Sequence, residues 1–304
     1  MHFGMSRIQA NSNGQLHDAA EPSISPLDRG YLYGDAIYEV WRTIGDFVFS
    51  FDEHWERLER SAGSIGLSLP FDRASCLTEI GRTVAAYRAN SGWNDSCYIR
   101  LQVSRGAGVI GLDPFLADRA RWTLFVRNLD EFDHSVSRNG LKLSIARMYR
   151  RNARSAIDPA SKTGNYMNNL LCLREVRTRG AVDAVILNQR GEITEASTSN
   201  LFFVTGNRIY TPPLSSGVLG GVTRQIILFR LLRPDGVAVI ERPIAESQLG
   251  EFNECFLASS TRDVVPVWAI DDHRYEVGTT SLTMKIKAAF AAYMEECPGV
   301  GLAG

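Results

Sequence analysis

Within about thirty residues the apolar pattern of this chain changes its period. In AIYEVWRTIGDFVFSFDEHWERLERSAGSI, two runs rich in β-branched and aromatic residues, Ala36–Thr43 and Phe47–Phe51, flank Gly45-Asp46. That is the spacing and turn chemistry of a β-hairpin. Asp52-Glu53-His54 then opens a segment whose Trp55, Leu58, Ala62 and Ile65 share one helical face.

The rest of the chain repeats this mixture. Arg73–Asn90 reads as a helix, and Cys97–Val103 and Trp122–Val126 as strands. Strand-like Leu141–Ala146, a helix from about Asn165 to Arg177, and strands at Ala184–Leu187, near Ile193 and at Leu201–Val204 follow. The pattern closes with a helix over Val222–Leu232, strands near Val237–Ile240 and Cys255–Ala258, and a helix from about Ser281 to Met294. Hairpins mixed with helices predict an α+β fold, not a doubly wound sheet. The polar, aperiodic stretch RNLDEFDHS, Arg127–Ser135, is the expected linker. It divides the chain into a small α+β domain over 1–127, a linker over 128–135 and a large α+β domain over 136–304.

Composition narrows the function classes. A net charge of −1 gives no electrostatic reason to expect a nucleic acid or an anionic membrane as partner. No apolar run approaches the ~20 residues that span a bilayer, and the N-terminal stretch lacks the apolar core of a signal peptide. The scattered cysteines, Cys76, Cys97, Cys172, Cys255 and Cys297, form no CxxC and are expected as free thiols of a cytoplasmic protein. The histidines show no close-spaced pair, so no metal site is expected.

Four stretches carry potential chemistry. The chain has 33 Lys and Arg residues, of which only Lys142, Lys162, Lys285 and Lys287 are lysines. Lys162 lies in SKTGNY; a lysine amine condenses with an aldehyde and a guanidinium does not, although a surface lysine in a loop is the plainer reading. In VLGGVTR, Gly220-Gly221 precedes a helix start, a place for an anion or an ordinary turn. In EITEASTSNLFFV, Glu195 is either an exposed turn residue or a carboxylate that holds a proton on a ring nitrogen. DRGYLYGDAIYEV, Asp28–Val40, is dense enough in aromatic and polar residues to line a pocket, or is a capped turn with aromatic packing.

These stretches, with HWERLERSA and FLASSTRDVVPV, occur in the order seen in class IV aminotransferases, and from about Asp28 to Pro266 the chain resembles that family. The resemblance implies a two-domain, fold type IV enzyme, D-amino-acid aminotransferase-like, with its active site between the domains. It implies pyridoxal 5'-phosphate as cofactor and a homodimer with shared active sites. It further implies that Lys162 carries the cofactor and shuttles the proton, and that Tyr166 bonds its phenolic oxygen. Glu195 is implied to pair with the pyridine nitrogen and Arg57 to bind the phosphate, with Gly221, Val222, Thr223, Ser260 and Thr261 around it and Leu219 on a ring face.

Substrate selectivity is divided. DRGYLYGDAIYEV and STSN resemble the D-amino-acid enzymes, but SRGAGVIGLDP lacks their Arg-x-His carboxylate trap. YIR at Tyr98–Arg100, GLDP and KTGNY resemble branched-chain enzymes, while Tyr-Glu-Val replaces their usual Phe-Glu-Gly. Arg29, Arg100 and Arg105 are the candidate carboxylate binders, with Tyr31 and Tyr33 in the same loop region; Arg29 or Arg105 is favoured. The expected function is a transaminase acting on an α-amino acid and a 2-oxo acid, favouring D-amino acids or (R)-amines. The alternatives are an L-branched-chain aminotransferase, a 4-amino-4-deoxychorismate lyase, and a non-enzymatic scaffold.

Overall fold

The computed structural model describes residues 8–117, 119–129, 139–231 and 237–302. The chain divides into two compact units. The first comprises Met1–Asp130, Ser161–Asn165 and Cys297–Gly304; the second comprises Glu131–Ala160 and Tyr166–Glu296. Two stretches that a single cut at 128–135 leaves in the second part, one of them holding Lys162, are thus grouped with the first. Of that expected linker, residues 130–135 lie outside the described residues.

The first unit is a sheet of seven strands: β1 (Gln9–Ser12), β2 (Gln15–Asp18), β3 (Ala36–Ile44), β4 (Phe47–Val48), β5 (Cys97–Ser104), β6 (Arg121–Asn128) and β16 (Val300–Gly301), in the order β16-β4-β3-β5-β6-β1-β2. The β3–β4 hairpin turns at Gly45-Asp46, as the sequence predicts. The helices Phe51–Ser64 and Arg73–Ser91 cover one face. Ile37 and Trp41 of β3 pack there with Phe51, Leu58, Ile80 and Val84, all essentially inaccessible to solvent. Asp72 caps the second helix by accepting from Ser75 N at 2.8 Å. The Asp28–Gly34 stretch, expected as a loop, holds a short helix, Arg29–Tyr33, capped by Asp28.

In the second unit the strands are β7 (Leu141–Ile145), β8 (Asp183–Leu187), β9 (Ile193–Ala196), β10 (Asn200–Thr205), β11 (Arg208–Thr211), β12 (Ala238–Glu241), β13 (Glu254–Ser259), β14 (Asp263–Ile270) and β15 (His273–Arg274). They run β12-β11-β10-β13-β14-β7-β8-β9, with β15 on β14. Strand β9 pairs with β8 and also with β10, so six of the strands close into a ring. The closing pair is Asn200↔Glu195. Inside lie Leu143, Val185, Leu201, Phe203, Leu257 and Val265, none more than a few per cent exposed.

The expected helix over Val222–Leu232 is different in kind. Val222–Gln225 is α-helical and Ile226–Arg230 is π-helical. Three consecutive residues, Ile226, Ile227 and Leu228, are buried there, a run that α-helical spacing does not place on one face. Leu232 and residues 233–236 lie outside the described residues.

Candidate active site

Lys162 is placed by main-chain pairing with β3. Tyr38 N donates to Lys162 O at 3.0 Å and Gly164 N to Ala36 O at 2.7 Å, while Thr163 bridges Ile37. On the helix Phe51–Ser64, Ser61 Oγ accepts from Lys162 N at 3.1 Å. The segment is therefore extended and held from two sides. Lys162 Nζ lies 4.3 Å from the centre of the Tyr38 ring. Arg100 Cζ lies 3.8 Å from the same ring centre. Since Tyr38 pairs with Gln102 across β3 and β5, Arg100 is its diagonal neighbour, within reach of an aromatic side chain. Arg100 Nη2 also donates to Gln102 Oε1 at 2.9 Å.

The alternate residues of β3 face the helix, and among them is Glu39, completely buried. Arg57 grips it with both Nε (2.7 Å to Oε1) and Nη2 (2.8 Å to Oε2). His54 Nδ1 lies 2.8 Å from Glu39 Oε2. Burial, with the cations Arg57 and Lys162 adding to it, holds His54 below its ordinary value against the pull of Glu39. The neutral ring donates from Nδ1 to the carboxylate, so the 3.1 Å approach of Arg57 Nη2 to Nδ1 is proximity and not a hydrogen bond.

For Glu39, burial would raise the carboxyl pKa, but Arg57 and His54 together hold it well below the ordinary 4.5. A depressed acid stabilises the fold above the unfolded-state value and loses that contribution as pH falls. Stability should therefore decline as pH drops through about 4.5, the ordinary value. Denaturant titrations at pH 7 and pH 4 check this. Glu39→Gln should cost about 3–5 kcal/mol at pH 7, because it strands a buried guanidinium, and should flatten the acid decline.

Arg29 and Arg105 are engaged elsewhere in the first unit. Arg29 donates to Asp35 Oδ2 (3.0 Å), Gly111 O (2.7 Å) and Leu112 O (3.0 Å) and is buried. Arg105 grips Asp35 with Nε and Nη2 at 2.8 and 3.0 Å and donates to Gly66 O and Ile65 O. Burial works against the Asp35 charge, and both arginines outweigh it, keeping its pKa lowered. Tyr33 Oη accepts from Gly111 N at 3.2 Å, and Tyr31 is exposed. The glycine-rich stretch after β5 is thus clamped by these side chains.

In the second unit the helix Met167–Arg177 begins one residue after Tyr166, its N-cap residue. Glu195, buried in β9, accepts from Asn200 Nδ2 at 3.0 Å and Leu219 N at 2.9 Å through Oε2. Its Oε1 pairs with Arg151 Nη2 at 2.6 Å. Asn200 Nδ2 also donates to Leu219 O at 2.9 Å, binding the 219–223 loop to the ring closure. At Gly221 a Cβ would meet Asn200 Oδ1 at 2.1 Å, so no side chain fits there. Ser260 and Thr261 form the β13–β14 turn, and the next residue, Arg262, donates to Asp183 Oδ2 at 3.1 Å. Asp183 Oδ1 in turn holds Ser197, two residues from Glu195.

A family model described as Amino-transferase class IV matches residues 36–270. The chain belongs to the amino-transferase class IV family. It is 29% identical over 281 residues to a putative branched-chain-amino-acid aminotransferase of Methanocaldococcus jannaschii, covering 91% of this chain and 93% of that one. It is 28% identical over 284 residues to a D-alanine aminotransferase of Bacillus licheniformis, covering 91% and 94%. An aminodeoxychorismate lyase of Bacillus subtilis is 27% identical over 263 residues, covering 86% and 87%. Among solved structures, the branched-chain aminotransferase of Thermoproteus uzoniensis with norvaline superposes with a TM-score of 0.83 at 26% identity over 94% of each chain. A branched-chain aminotransferase from T.th., complexed with N-(5'-phosphopyridoxyl)-L-glutamate, gives 0.82 at 26% identity, covering 93% and 92%.

Class IV aminotransferases use pyridoxal 5'-phosphate, and this one is an enzyme of fold type IV. The second unit fits the group. Thr223 Oγ1, at the start of the helix Val222–Gln225, is buried without a hydrogen-bond partner among the described residues. Beside it Gly221 carries no side chain, and Asn200 Oδ1 packs against its Cα. A buried hydroxyl with an open valence beside bare backbone is suited to a phosphate. Among the described residues, no helix is long and apolar enough to cross a membrane.

Sequence reasoning missed Glu39, His54, Arg151 and Asn169. The first two had a signal. An acid placed two residues from Ile37 and from Trp41 faces the core, and His54 and Arg57 share a helix face at i, i+3. Arg151 and Asn169 had none, because their partners, Glu195 for the first and Ser197 for the second, come from a distant segment.

Proposed function

We propose that the chain transaminates L-branched-chain amino acids against a 2-oxo acid. The observation that carries this selectivity is Arg100 at the Tyr38 ring that Lys162 also approaches. The other carboxylate candidates, Arg29 and Arg105, both donate to Asp35 and to main-chain carbonyls. Arg100 belongs to the YIR stretch that resembles branched-chain enzymes. The D-amino-acid reading remains the second one, supported by DRGYLYGDAIYEV and by the D-alanine aminotransferase relative.

When bound, pyridoxal phosphate supplies an aldehyde for the amino group and a ring that accepts electrons from the substrate α-carbon. In this reading Lys162 Nζ holds the cofactor and then takes the proton from the α-carbon as a base. Its main-chain bonds to β3 and Ser61 fix its base of attachment. Arg57, its guanidinium oriented by Glu39, binds the phosphate together with the Thr223 hydroxyl and the amides of Val222 and Thr223, with Gly221, Ser260 and Thr261 beside them. Tyr166 donates to the phenolic oxygen, Leu219 lies against a ring face, and Glu195 accepts from the ring nitrogen. Arg100 binds the substrate carboxylate.

A cytoplasmic homodimer belongs to the same reading. Val109, Ile110, Leu112 and Phe115 are strongly exposed on the stretch clamped by Arg29, an apolar surface of the kind a partner covers. All five cysteines are free thiols.

The decisive experiment mixes purified holoenzyme with single amino acids and follows the cofactor's visible absorbance. L-Leucine and L-valine should bleach it within seconds to minutes, and D-alanine should not. Bleaching by D-alanine alone would replace this reading with the D-selective one. A protein that takes up no pyridoxal phosphate would end both.

A further inference from the structure

Arg151 is buried at the centre of the second unit's cluster, yet none of the roles above uses it. Its main chain is set by Arg151 N donating to Leu187 O at 2.8 Å, beside the end of β8. Its guanidinium donates from Nε to Gly217 O (3.2 Å) and from Nη1 to Asn169 Oδ1 (3.2 Å). Nη2 reaches Glu195 Oε1 at 2.6 Å and Pro159 O at 3.5 Å. Asn169 is itself anchored, donating to Ser197 O at 2.7 Å. Of these four contacts only Glu195 carries charge. The two oxygens of Glu195 are thus treated differently: Oε1 faces a cation, while Oε2 takes the neutral donors Asn200 Nδ2 and Leu219 N.

A carboxylate and a pyridine nitrogen that share one proton have two arrangements. The proton sits on nitrogen, giving a charged pair, or on oxygen, giving a neutral one. Away from water the neutral pair gains, because neither partner is then a desolvated charge. A guanidinium bonded to the carboxylate reverses this preference by stabilising the negative oxygen. We infer that Arg151 is a positioning residue for the cofactor's ring nitrogen: it keeps Glu195 anionic and in one orientation, so that the shared proton resides on the nitrogen. The inference rests on the assignment of Glu195 to that nitrogen. It explains why an arginine with one charged partner is buried in this cluster, and it makes the ring's electron-accepting state depend on a residue that need not touch the cofactor.

The plain alternative is that Arg151 only pins four segments together. Reconstitution with ring-¹⁵N-labelled pyridoxal phosphate separates the two, because the nitrogen's NMR shift distinguishes pyridinium from pyridine. Wild type should show pyridinium. Arg151→Lys, which keeps the charge but loses the fork, should show it too. Arg151→Met should move the resonance toward neutral pyridine and raise the cofactor's dissociation constant about tenfold. In a Glu195→Gln background the same Arg151→Met change should leave the resonance where it is, since no carboxylate remains to be held. An unmoved resonance in folded Arg151→Met overturns the inference, as does an equal shift in the Glu195→Gln background. If Arg151→Met does not fold, a neutral pyridine in wild type or in Arg151→Lys overturns it as well. Failure to take up the cofactor, or borohydride labelling at a lysine other than Lys162, defeats the functional reading. A neutral nitrogen in a holoenzyme labelled at Lys162 defeats only this inference.

Discussion

Lys162→Arg should abolish transamination, lowering kcat on the order of 10⁴-fold or more, while the protein stays folded. The fold is spared because the structure holds position 162 by its main chain. Tyr38 N and Ser61 Oγ bond to the main chain of Lys162, and Gly164 N bonds to Ala36 O, all without the lysine amine. Arginine keeps the positive charge near the Tyr38 ring, so cation–π contact and net charge are also preserved. What is lost is an amine that condenses with an aldehyde and that alternates between base and acid; a guanidinium does neither at neutral pH. Borohydride reduction of wild-type holoenzyme, followed by peptide mapping, should place the pyridoxyl label on the peptide containing Lys162. Label on Lys142, in β7, or on Lys285 or Lys287, in the helix Leu282–Glu296, would refute the assignment. So would an arginine variant with measurable turnover.

The parts of the fold that were legible in the sequence are those where burial follows an apolar period. The β3–β4 hairpin and the helix Phe51–Ser64 were plain because Ile37, Trp41, Trp55 and Leu58 repeat at the right spacing. The hairpin of β1 and β2 was missed although Asn13-Gly14, both at positive φ, marks its turn. Strand β1 reads QANS and lies between β2 and β6, fully buried. Its polar side chains make hydrogen bonds, Asn11 Nδ2 to Glu79 and Thr83 and Ser12 to Thr123, where a sequence reader expects apolar alternation. Strand β14 was hidden by Pro266, which argues against a central strand. Its parallel pairing with β7 starts only at Val267, past the missing N–H, and carries a bulge.

The same distinction applies to the candidate site. Lys162, Glu195 and Arg57 stand out by residue type in short motifs, and each occupies an ordered, largely satisfied position. Their supports do not stand out. Glu39 and His54 orient Arg57, and Arg151 and Asn200 orient Glu195, through side-chain contacts whose partners lie far apart in sequence or belong to the ring closure at Asn200↔Glu195. Local propensity carries no information about such pairs. The choice among arginines rested on the same local signals. Arg29 and Arg105 adjoin the conspicuous tyrosine-rich and glycine-rich stretches, and only the structure reveals that one half-buried acid, Asp35, takes a donor from each.

Arg100→Met should weaken binding of a substrate-like carboxylate by tenfold to a hundredfold and leave its uncharged analogue unaffected. A hydrogen bond to a charged group is worth roughly 1.5–3 kcal/mol, which sets that range. The comparison needs ligands that differ only in charge, such as 4-methylpentanoate and 4-methylpentanamide as competitive inhibitors. The carboxylate loses its cation in the variant; the amide had none to lose. Methionine retains most of the aliphatic volume, so packing against Tyr38 changes little. Arg29→Met and Arg105→Met should behave differently. Each removes a donor from Asp35 and leaves main-chain carbonyls without one, so the expected result is a lower Tm with both inhibitors affected alike. A selective loss of carboxylate binding in Arg105→Met or Arg29→Met, with Arg100→Met unchanged, would return the carboxylate to the glycine-rich loop and restore the D-selective reading. Arg29 and Arg105 each donate from Nε and both terminal nitrogens to Asp35 and the backbone, so turning either toward a substrate would break bonds that hold the first unit's loops.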